Sequence, residues 1–184
     1  MTAAIRRAAI LALAVFAGAC VNAPRRESWN EIVREKLDIY GHRNIIAVVD
    51  AAYPEQSRAS IETVATGAHQ LDVVRAVLEN LRSQAHVRAR VMLDRELDYV
   101  PEADAEGIGE YRDALYTLLS GQQVEFVEHE KLIAKLDECA QVFDVLVLKT
   151  DLALPYTSVF IELECGYWSD AAEQRMRASM DDVR

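Results

Sequence analysis

Two side chains able to move protons flank a short apolar run near the start of the chain. His42 follows Gly41, and Asp50 directly follows the run at 45–49. We expect His42 just past a helix C-terminus, where the dipole favours the imidazolium form, and a group titrating near ambient pH suits general-acid catalysis. Ligands in open α/β sheets bind beyond the carboxyl ends of strands, so Asp50 is expected at the edge of a site. The same residues are also typical of a helix cap and a turn, and the pattern leaves both interpretations open.

Motifs for several other common chemistries are absent from the sequence. There is no G-x-G-x-x-G pattern, and Gly107-Ile108-Gly109 is not followed by a P-loop lysine. No G-x-S-x-G nucleophile elbow is present. His129 begins a stretch like that of a zinc-binding helix, but Ile133 occupies the position of the second ligand. The sequence therefore predicts a site with no metal, no cofactor and no acyl-enzyme intermediate.

The elements that must position these side chains alternate between helix and strand patterns. A capping-box pair, Ser28 and Glu31, predicts a helix that ends before Gly41. The run at 45–49 is apolar throughout, which is typical of a strand buried on both faces. Further strands are predicted at 61–65, 87–93, 124–127, 145–148 and 159–163, and further helices at 71–81, 108–119 and 130–141. The fold class is therefore α/β, a single three-layer domain with a mostly parallel central sheet flanked by helices.

Composition and charge restrict the classes of partner. The chain has 184 residues, which fits one domain better than two. Its 30 acidic and 20 basic residues give a net charge of −10. Binding to nucleic acid or to anionic lipid depends on clustered Lys and Arg, and no such cluster is present. A small neutral ligand is the partner that this composition favours, and no nucleic-acid partner is expected.

The first residues have the pattern of an export signal. Arg6 and Arg7 form a positive region, residues 8–16 form a short apolar region, and Ala17-Gly18-Ala19 is an A-x-A cleavage signal. The apolar stretch is shorter than the roughly 20 residues that span a bilayer. We therefore predict that residues 1–19 are a signal peptide and that the mature protein is periplasmic.

The residues around the cleavage point also resemble a bacterial lipobox, which ends in a cysteine that becomes lipidated. Cys20 is therefore predicted to carry a lipid, with residues 20–27 as a tether, so that membrane contact is through this anchor alone. Val21 carries no acidic inner-membrane retention signal, which favours the outer membrane. Ordinary cleavage before an unlipidated Cys20 stays open as the alternative. The other two cysteines, Cys139 and Cys165, either pair in the oxidising periplasm or remain two separate thiols.

Three segments resemble one known family in the same order. The sequence Y-G-H-R-N-I-I at 40–46, followed by D-A-A-Y-P at 50–54, resembles the opening of the ribose pyranase / fucose mutarotase (RbsD/FucU) family. The segments E-H-E-K-L at 128–132 and L-P-Y-T-S-V-F at 154–160 are similar to two later motifs of that family. The similar region lies within the predicted domain at 28–168, which leaves a polar acidic tail at 169–184.

The resemblance implies a role for five residues. His42 corresponds to the catalytic general acid, Asp50 to a ligand of sugar hydroxyls, His129 to a second substrate-binding residue and Tyr156 to a residue beside the sugar ring. Ser158 stands where the family has Asn. Asn offers two donors and an acceptor while Ser offers one hydroxyl, so this difference is expected to change the sugar contact.

The resemblance also implies an activity and an assembly. Family members interconvert anomers or ring forms of a free monosaccharide by acid–base catalysis without a cofactor, and they form homo-oligomeric rings with the site near a subunit interface. A ribose- or fucose-like sugar and a homo-oligomer are therefore expected here. Two alternatives on the same fold stay open. One is a non-catalytic monosaccharide-binding protein, and the other is an envelope scaffold that docks through the acidic tail.

Overall fold

A computed structural model describes residues 28–181 of the chain. The predicted signal peptide at 1–19, Cys20 with its tether at 20–27, and the last three residues of the acidic tail lie outside the described residues. The elements, in chain order, are α1 Trp29–Ile39, β1 Ile45–Val49, β2 Ile61–Ala65, α2 Gln70–Arg82, β3 Val87–Asp94, a 3-10 helix Arg95–Tyr99, α3 Ile108–Leu118, β4 Val124–Val127, α4 His129–Cys139, β5 Val145–Lys149, β6 Val159–Cys165 and α5 Asp170–Asp181. Among these, no helix is both long and apolar enough to cross a membrane.

Six strands form one sheet in the order β2-β5-β1-β6-β3-β4. Strands β1, β2, β3, β4 and β5 all run in one direction, and β6 runs antiparallel to its neighbours β1 and β3. Val159, the first residue of β6, pairs with Val48 near the end of β1 and with Leu93 near the end of β3. The chain segment that enters β6 therefore lies at the same edge as the carboxyl ends of the parallel strands. The predicted α/β fold with a mostly parallel sheet is confirmed.

Alternate residues of β1 contribute to two separate apolar cores. Ile46 and Val48 pack with α1, α2 and α3 on one face of the sheet. Ile45, Ala47 and Val49 pack with α4 on the other face. Because helices cover β1 on both sides, all five of its residues are buried, which is why the strand reads as an unbroken apolar run.

The turn between α1 and β1 places His42 at the amino edge of the sheet. Helix α1 begins with the predicted capping box, in which Ser28 N donates to Glu31 Oε2 at 2.8 Å and Ser28 Oγ accepts from Glu31 N at 3.3 Å. After α1, Gly41 N donates to Asn44 Oδ1 at 2.9 Å, and Asn44 Nδ2 donates to the Asp144 carbonyl at 2.9 Å. The turn is therefore anchored through Asn44 to the segment that enters β5.

Helix α4 covers only part of its face of the sheet. On the amino half of β3 and the carboxyl half of β6 the side chains of this face are charged, and they pair across the strands. Arg88 pairs with Glu164 at 2.9 Å, and Arg90 pairs with Glu162 at 3.4 Å. On this face, ion pairs cover the part of the sheet formed by the amino half of β3 and the carboxyl half of β6, and α4 covers the neighbouring part.

Candidate functional site

A cleft at the carboxyl edge of the sheet is lined by two of the residues singled out in the sequence, and a third packs against one of them. Asp50 directly follows β1, His129 begins α4 after β4, and Tyr156 lies just before β6. The cleft has a volume of about 380 Å³, and Asp50, Tyr53 and His129 are among its lining residues. Tyr156 contacts the His129 ring edge-on, with ring centroids 5.4 Å apart and an interplanar angle of 87°.

Asp50 shapes the turn after β1 and also faces the cleft. Its Oδ1 accepts from the backbone N–H of Ala52 at 2.7 Å, which is the local bond of an Asx turn. The Asp50 side chain is half-buried and lines the cleft wall. Asp50 therefore forms the predicted turn and also lies on the cleft wall, and its role as a sugar ligand stays a prediction.

His129 is held by two acidic residues, one at the end of β3 and one in the 3-10 helix that follows. Its Nδ1 lies 3.0 Å from Oδ1 of Asp94, the last residue of β3. Its backbone N–H donates to both carboxylate oxygens of Glu96, at 3.1 and 3.0 Å. The imidazole is 33% exposed while Asp94 is fully buried. The ring is therefore fixed on its inner side and open on the cleft side.

Asp94 and Glu96 were not among the residues predicted from the sequence. The rule that singled out Asp50 also applies to Asp94, since each is an acidic residue that closes an apolar strand. Burial raises the pKa of Asp94 above its ordinary value, and the hydrogen bond with His129 lowers that pKa in part. What marks Asp94 as a site residue is its contact with His129 of α4. The sequence pattern does not reveal that contact, because the two residues are far apart in the chain.

The backbone at Tyr156 has a positive φ of 56° and is held by buried polar side chains. The carbonyl of the next residue, Thr157, accepts from Gln70 Nε2 and from the Tyr111 hydroxyl, the latter at 3.1 Å. Tyr156 itself is 41% exposed. Ser158 is only 3% exposed, so little of its surface reaches the cleft.

Tyr53 is a buried residue that lines the same cleft. Burial is the main cause that raises the pKa of Tyr53 to about 12, so its hydroxyl stays protonated at neutral pH. That hydroxyl accepts from Gln56 Nε2 at 3.1 Å, and Lys149 Nζ donates to the Tyr53 carbonyl at 2.8 Å. No group of three or more His, Cys, Asp or Glu within residues 28–181 is arranged to hold a metal ion.

His42 lies at the opposite edge of the sheet. It precedes the five-residue β1 and Asp50 follows it, so the strand, roughly 17 Å long at about 3.3 Å per residue, separates them. His42 is exposed and lines a different cleft of about 480 Å³ together with Arg43, Lys135 and Cys139. One chain thus gathers Asp50, His129 and Tyr156 but leaves His42 apart from them.

Two free thiols are present in the described part of the chain, Cys139 and Cys165. Cys139 Sγ donates to the carbonyl of Arg43 at 3.2 Å beside the His42 turn. Burial raises the pKa of the Cys139 thiol to about 11. Of the two outcomes left open by the sequence, the structure has separate thiols.

Comparison with known proteins identifies one family and its fold. The model of the RbsD / FucU transport protein family matches residues 29–162. Bacillus subtilis RbsD complexed with D-ribose is similar in structure, with a TM-score of 0.52 and 18% identity over 75% of this chain and 95% of that one. The Streptococcus pneumoniae fucose mutarotase in complex with L-fucose has a TM-score of 0.48 and 16% identity over 77% of this chain and 96% of that one. No curated protein matches the sequence significantly.

Proposed function

The chain belongs to the RbsD / FucU transport protein family, and from this premise we propose that it is a monosaccharide mutarotase or pyranase. It would interconvert the anomers or ring forms of a free ribose- or fucose-like sugar. The observation that carries the proposal is that Asp50 and His129 line one cleft at the carboxyl edge of the sheet, with Tyr156 packed against the His129 ring. This is the edge at which open α/β sheets bind their ligands.

The cleft has the size and the groups that a monosaccharide requires. Its volume of about 380 Å³ falls in the range of roughly 300–1,000 Å³ typical of small-molecule sites. The Asp50 carboxylate is an acceptor for sugar hydroxyls, and the imidazole of His129 is a further hydrogen-bonding group. The exposed ring of Tyr156 offers an apolar surface for the C–H face of a sugar.

The reaction places modest demands on the protein. The ring opens when a base takes the proton of the anomeric hydroxyl, the bond from C1 to the ring oxygen breaks, and an acid protonates that oxygen. Reclosure on the other face of the carbonyl gives the other anomer. Because the reaction also proceeds without a catalyst, positioned acid and base groups, worth about 10²–10⁴-fold, are sufficient.

The position of His42 favours a site shared between two subunits. His42 and Asp50 lie at opposite edges of the sheet, so the acid and the cleft of one chain do not meet. We propose that the chain forms a closed homo-oligomer in which His42 of one subunit completes the cleft of its neighbour. Asp50, His129 and the other cleft residues then belong to the subunit that binds the sugar.

Mixing two inactive variants tests this arrangement. In a random one-to-one mixed oligomer of His42→Ala and Asp50→Asn chains, roughly a quarter of the sites have an intact cleft and an intact neighbouring His42. We expect activity to return on mixing under conditions that allow subunit exchange. Mixed oligomers that stay inactive would mean that each site uses His42 and Asp50 of one chain. A His42→Ala variant that is fully active by itself would mean that His42 has no role.

The activity itself is tested by saturation-transfer NMR of anomer exchange with ribose, fucose, galactose and glucose. We expect the full chain to accelerate exchange of one sugar and the His42→Ala variant to lose this acceleration. Saturable sugar binding without acceleration would instead identify a non-catalytic binding protein. A folded chain that binds none of these sugars would favour the scaffold role.

We also propose that the protein is exported and lipidated at Cys20. The support is the pattern of residues 1–20, which carries both a cleavage signal and a lipobox-like cysteine. Fatty-acid labelling of the wild-type chain but not of a Cys20→Ala variant is the expected result. Recovery of an unprocessed chain from the cytoplasm would contradict the proposal.

A further inference from the structure

Asp94 is the only buried residue among the acidic and basic ones that the structure describes. One of its oxygens, Oδ1, lies 3.0 Å from His129 Nδ1, and the other, Oδ2, is buried without a hydrogen-bond partner. No Lys or Arg within residues 28–181 forms an ion pair with it. A carboxylate removed from water costs free energy that an apolar residue at this position would not. A role in packing therefore does not account for Asp94, and its contact with His129 does.

The geometry around His129 leaves one ring nitrogen available. Nδ1 faces Asp94, and a carboxylate acceptor at hydrogen-bond distance favours the tautomer that carries its proton on Nδ1. Within the described residues Nε2 makes no hydrogen bond, and the ring is 33% exposed beside the cleft. The edge-on contact with Tyr156 limits rotation of the ring. The bonds from the backbone N–H of His129 to Glu96 fix the start of α4 and do not involve the ring.

We propose that His129 is the general base of the sugar site and that Asp94 is the positioning residue that holds it in the Nδ1–H tautomer. This inference rests on the proposed function and assigns the half of the proton transfer that His42 does not supply. Asp94 touches no substrate, because it is fully buried behind His129. Its effect on the reaction is through the imidazole alone.

The proton steps balance with these two histidines. Nε2 of neutral His129 accepts the proton of the anomeric hydroxyl while the C1–O bond to the ring oxygen breaks and C1 becomes an aldehyde. The ring oxygen takes a proton from the imidazolium of His42 of the neighbouring subunit. Reclosure reverses both transfers, and no oxidant or other co-reactant is consumed. The Asp94 carboxylate stabilises the His129 imidazolium that forms in between.

The Asp94→Asn variant tests the role of the carboxylate. Asn keeps the shape of the side chain but can donate to Nδ1, which would favour the wrong tautomer of His129. We expect the exchange rate constant at saturating sugar to fall by about 10²–10⁴-fold, by analogy with other tautomer-holding aspartates. Sugar affinity is expected to stay within about 3-fold, since the residue does not reach the ligand.

The Glu96→Gln variant is the matched control. It also removes one carboxylate charge close to His129, from the 3-10 helix after β3, but Glu96 contacts His129 only through the backbone N–H. Gln can still accept that bond, so we expect exchange to slow by no more than about 3-fold. A fall equal to that of Asp94→Asn would mean that charge near His129, and not its tautomer, sets the rate.

Nitrogen NMR of the imidazole provides a readout that does not depend on activity. In the wild-type chain at neutral pH we expect a protonated Nδ1 and an unprotonated Nε2 on His129, and we expect Asp94→Asn to change that pattern. A wild-type Nε2–H tautomer would overturn the proposal even if Asp94→Asn failed to fold. If the wild type is active and Asp94→Asn exchanges the sugar at the same rate, the role of Asp94 and His129 is overturned but the proposed function is not. If the wild type has no activity, the proposed function is overturned as well.

Discussion

The two edges of the sheet each hold a histidine, and the surroundings of the two histidines differ. At the carboxyl edge, the His129 ring is hydrogen-bonded to the fully buried Asp94 and packs edge-on against the Tyr156 ring. The backbone N–H of His129 donates to Glu96. At the amino edge, His42 is exposed on a turn and makes no hydrogen bond with its side chain within the described residues. The carboxyl edge therefore holds the His129 imidazole in place, whereas the amino edge leaves the His42 imidazole exposed at the surface.

This difference is the one expected for the proposed shared site, in which each chain holds half of the catalytic groups. Catalysis gains from side chains fixed by packing and by outer hydrogen bonds, and the carboxyl edge has both. The amino edge has a ligand-sized cleft but no group that orients His42. In the proposed oligomer, contact with a second subunit would orient His42. The following experiments test the contrast between the two edges.

The same substitution at the two histidines should have different effects on stability. His129→Ala leaves Asp94 as an unpaired buried charge, which we expect to lower the free energy of unfolding by about 3 kcal/mol. His42→Ala removes an exposed side chain and should change it by less than about 0.5 kcal/mol. Urea unfolding of both variants measures the difference, and equal values would contradict the contrast between the edges.

The buried polar bonds behind Tyr156 should also matter for both stability and binding. Gln70 is fully buried, donates to the Tyr111 hydroxyl and the Thr157 carbonyl, and accepts from Thr150 Oγ1 at 3.1 Å. Gln70→Leu should cost about 1–3 kcal/mol, because it leaves buried groups without partners. Sugar affinity should fall as Tyr156 loses its support. Thermal unfolding and sugar titration test this, and a stable variant with normal affinity would contradict it.

Asp94 should give the wild type a characteristic pH dependence of stability. Burial raises its pKa in the folded state, with His129 opposing and Glu96 and Asp50 adding to the shift, so the native state binds the proton more tightly than the unfolded chain. Its contribution is full below the ordinary carboxyl pKa and is lost as pH rises through the raised value. Relative to Asp94→Asn, the wild type should therefore lose stability as pH rises above about 4. Parallel stability curves for the two proteins would contradict this.

The smallest effect is expected at the thiol beside His42. With a pKa raised to about 11, Cys139 is almost entirely protonated at neutral pH and should react slowly with iodoacetamide. Prolonged alkylation without reductant, followed by mass spectrometry of the digest, should find Cys139 and Cys165 both alkylated. A disulfide-linked peptide of the two cysteines would contradict the free thiols of the structure.

Most of the fold could be predicted because its patterns are local. The unbroken apolar run at 45–49, the capping box at Ser28 and Glu31, and the apolar spacing of α2 each depend on residues close together in the chain. Only part of the candidate site could be predicted from such local patterns. Asp50 follows from the strand rule, and His129 and Tyr156 were identified through the family resemblance and not through their surroundings.

The sequence by itself determined the α/β class, the strands and helices, and the residue types available for acid–base chemistry, since periodicity and residue chemistry are properties of short segments. Only the tertiary structure decided which of those residues meet. The register of β6 between β1 and β3 brings the Tyr156 segment to the carboxyl edge, and the packing of α4 places His129 against Asp94. The length of β1 keeps His42 away from them. Such placements depend on pairing between distant segments, which no local pattern specifies.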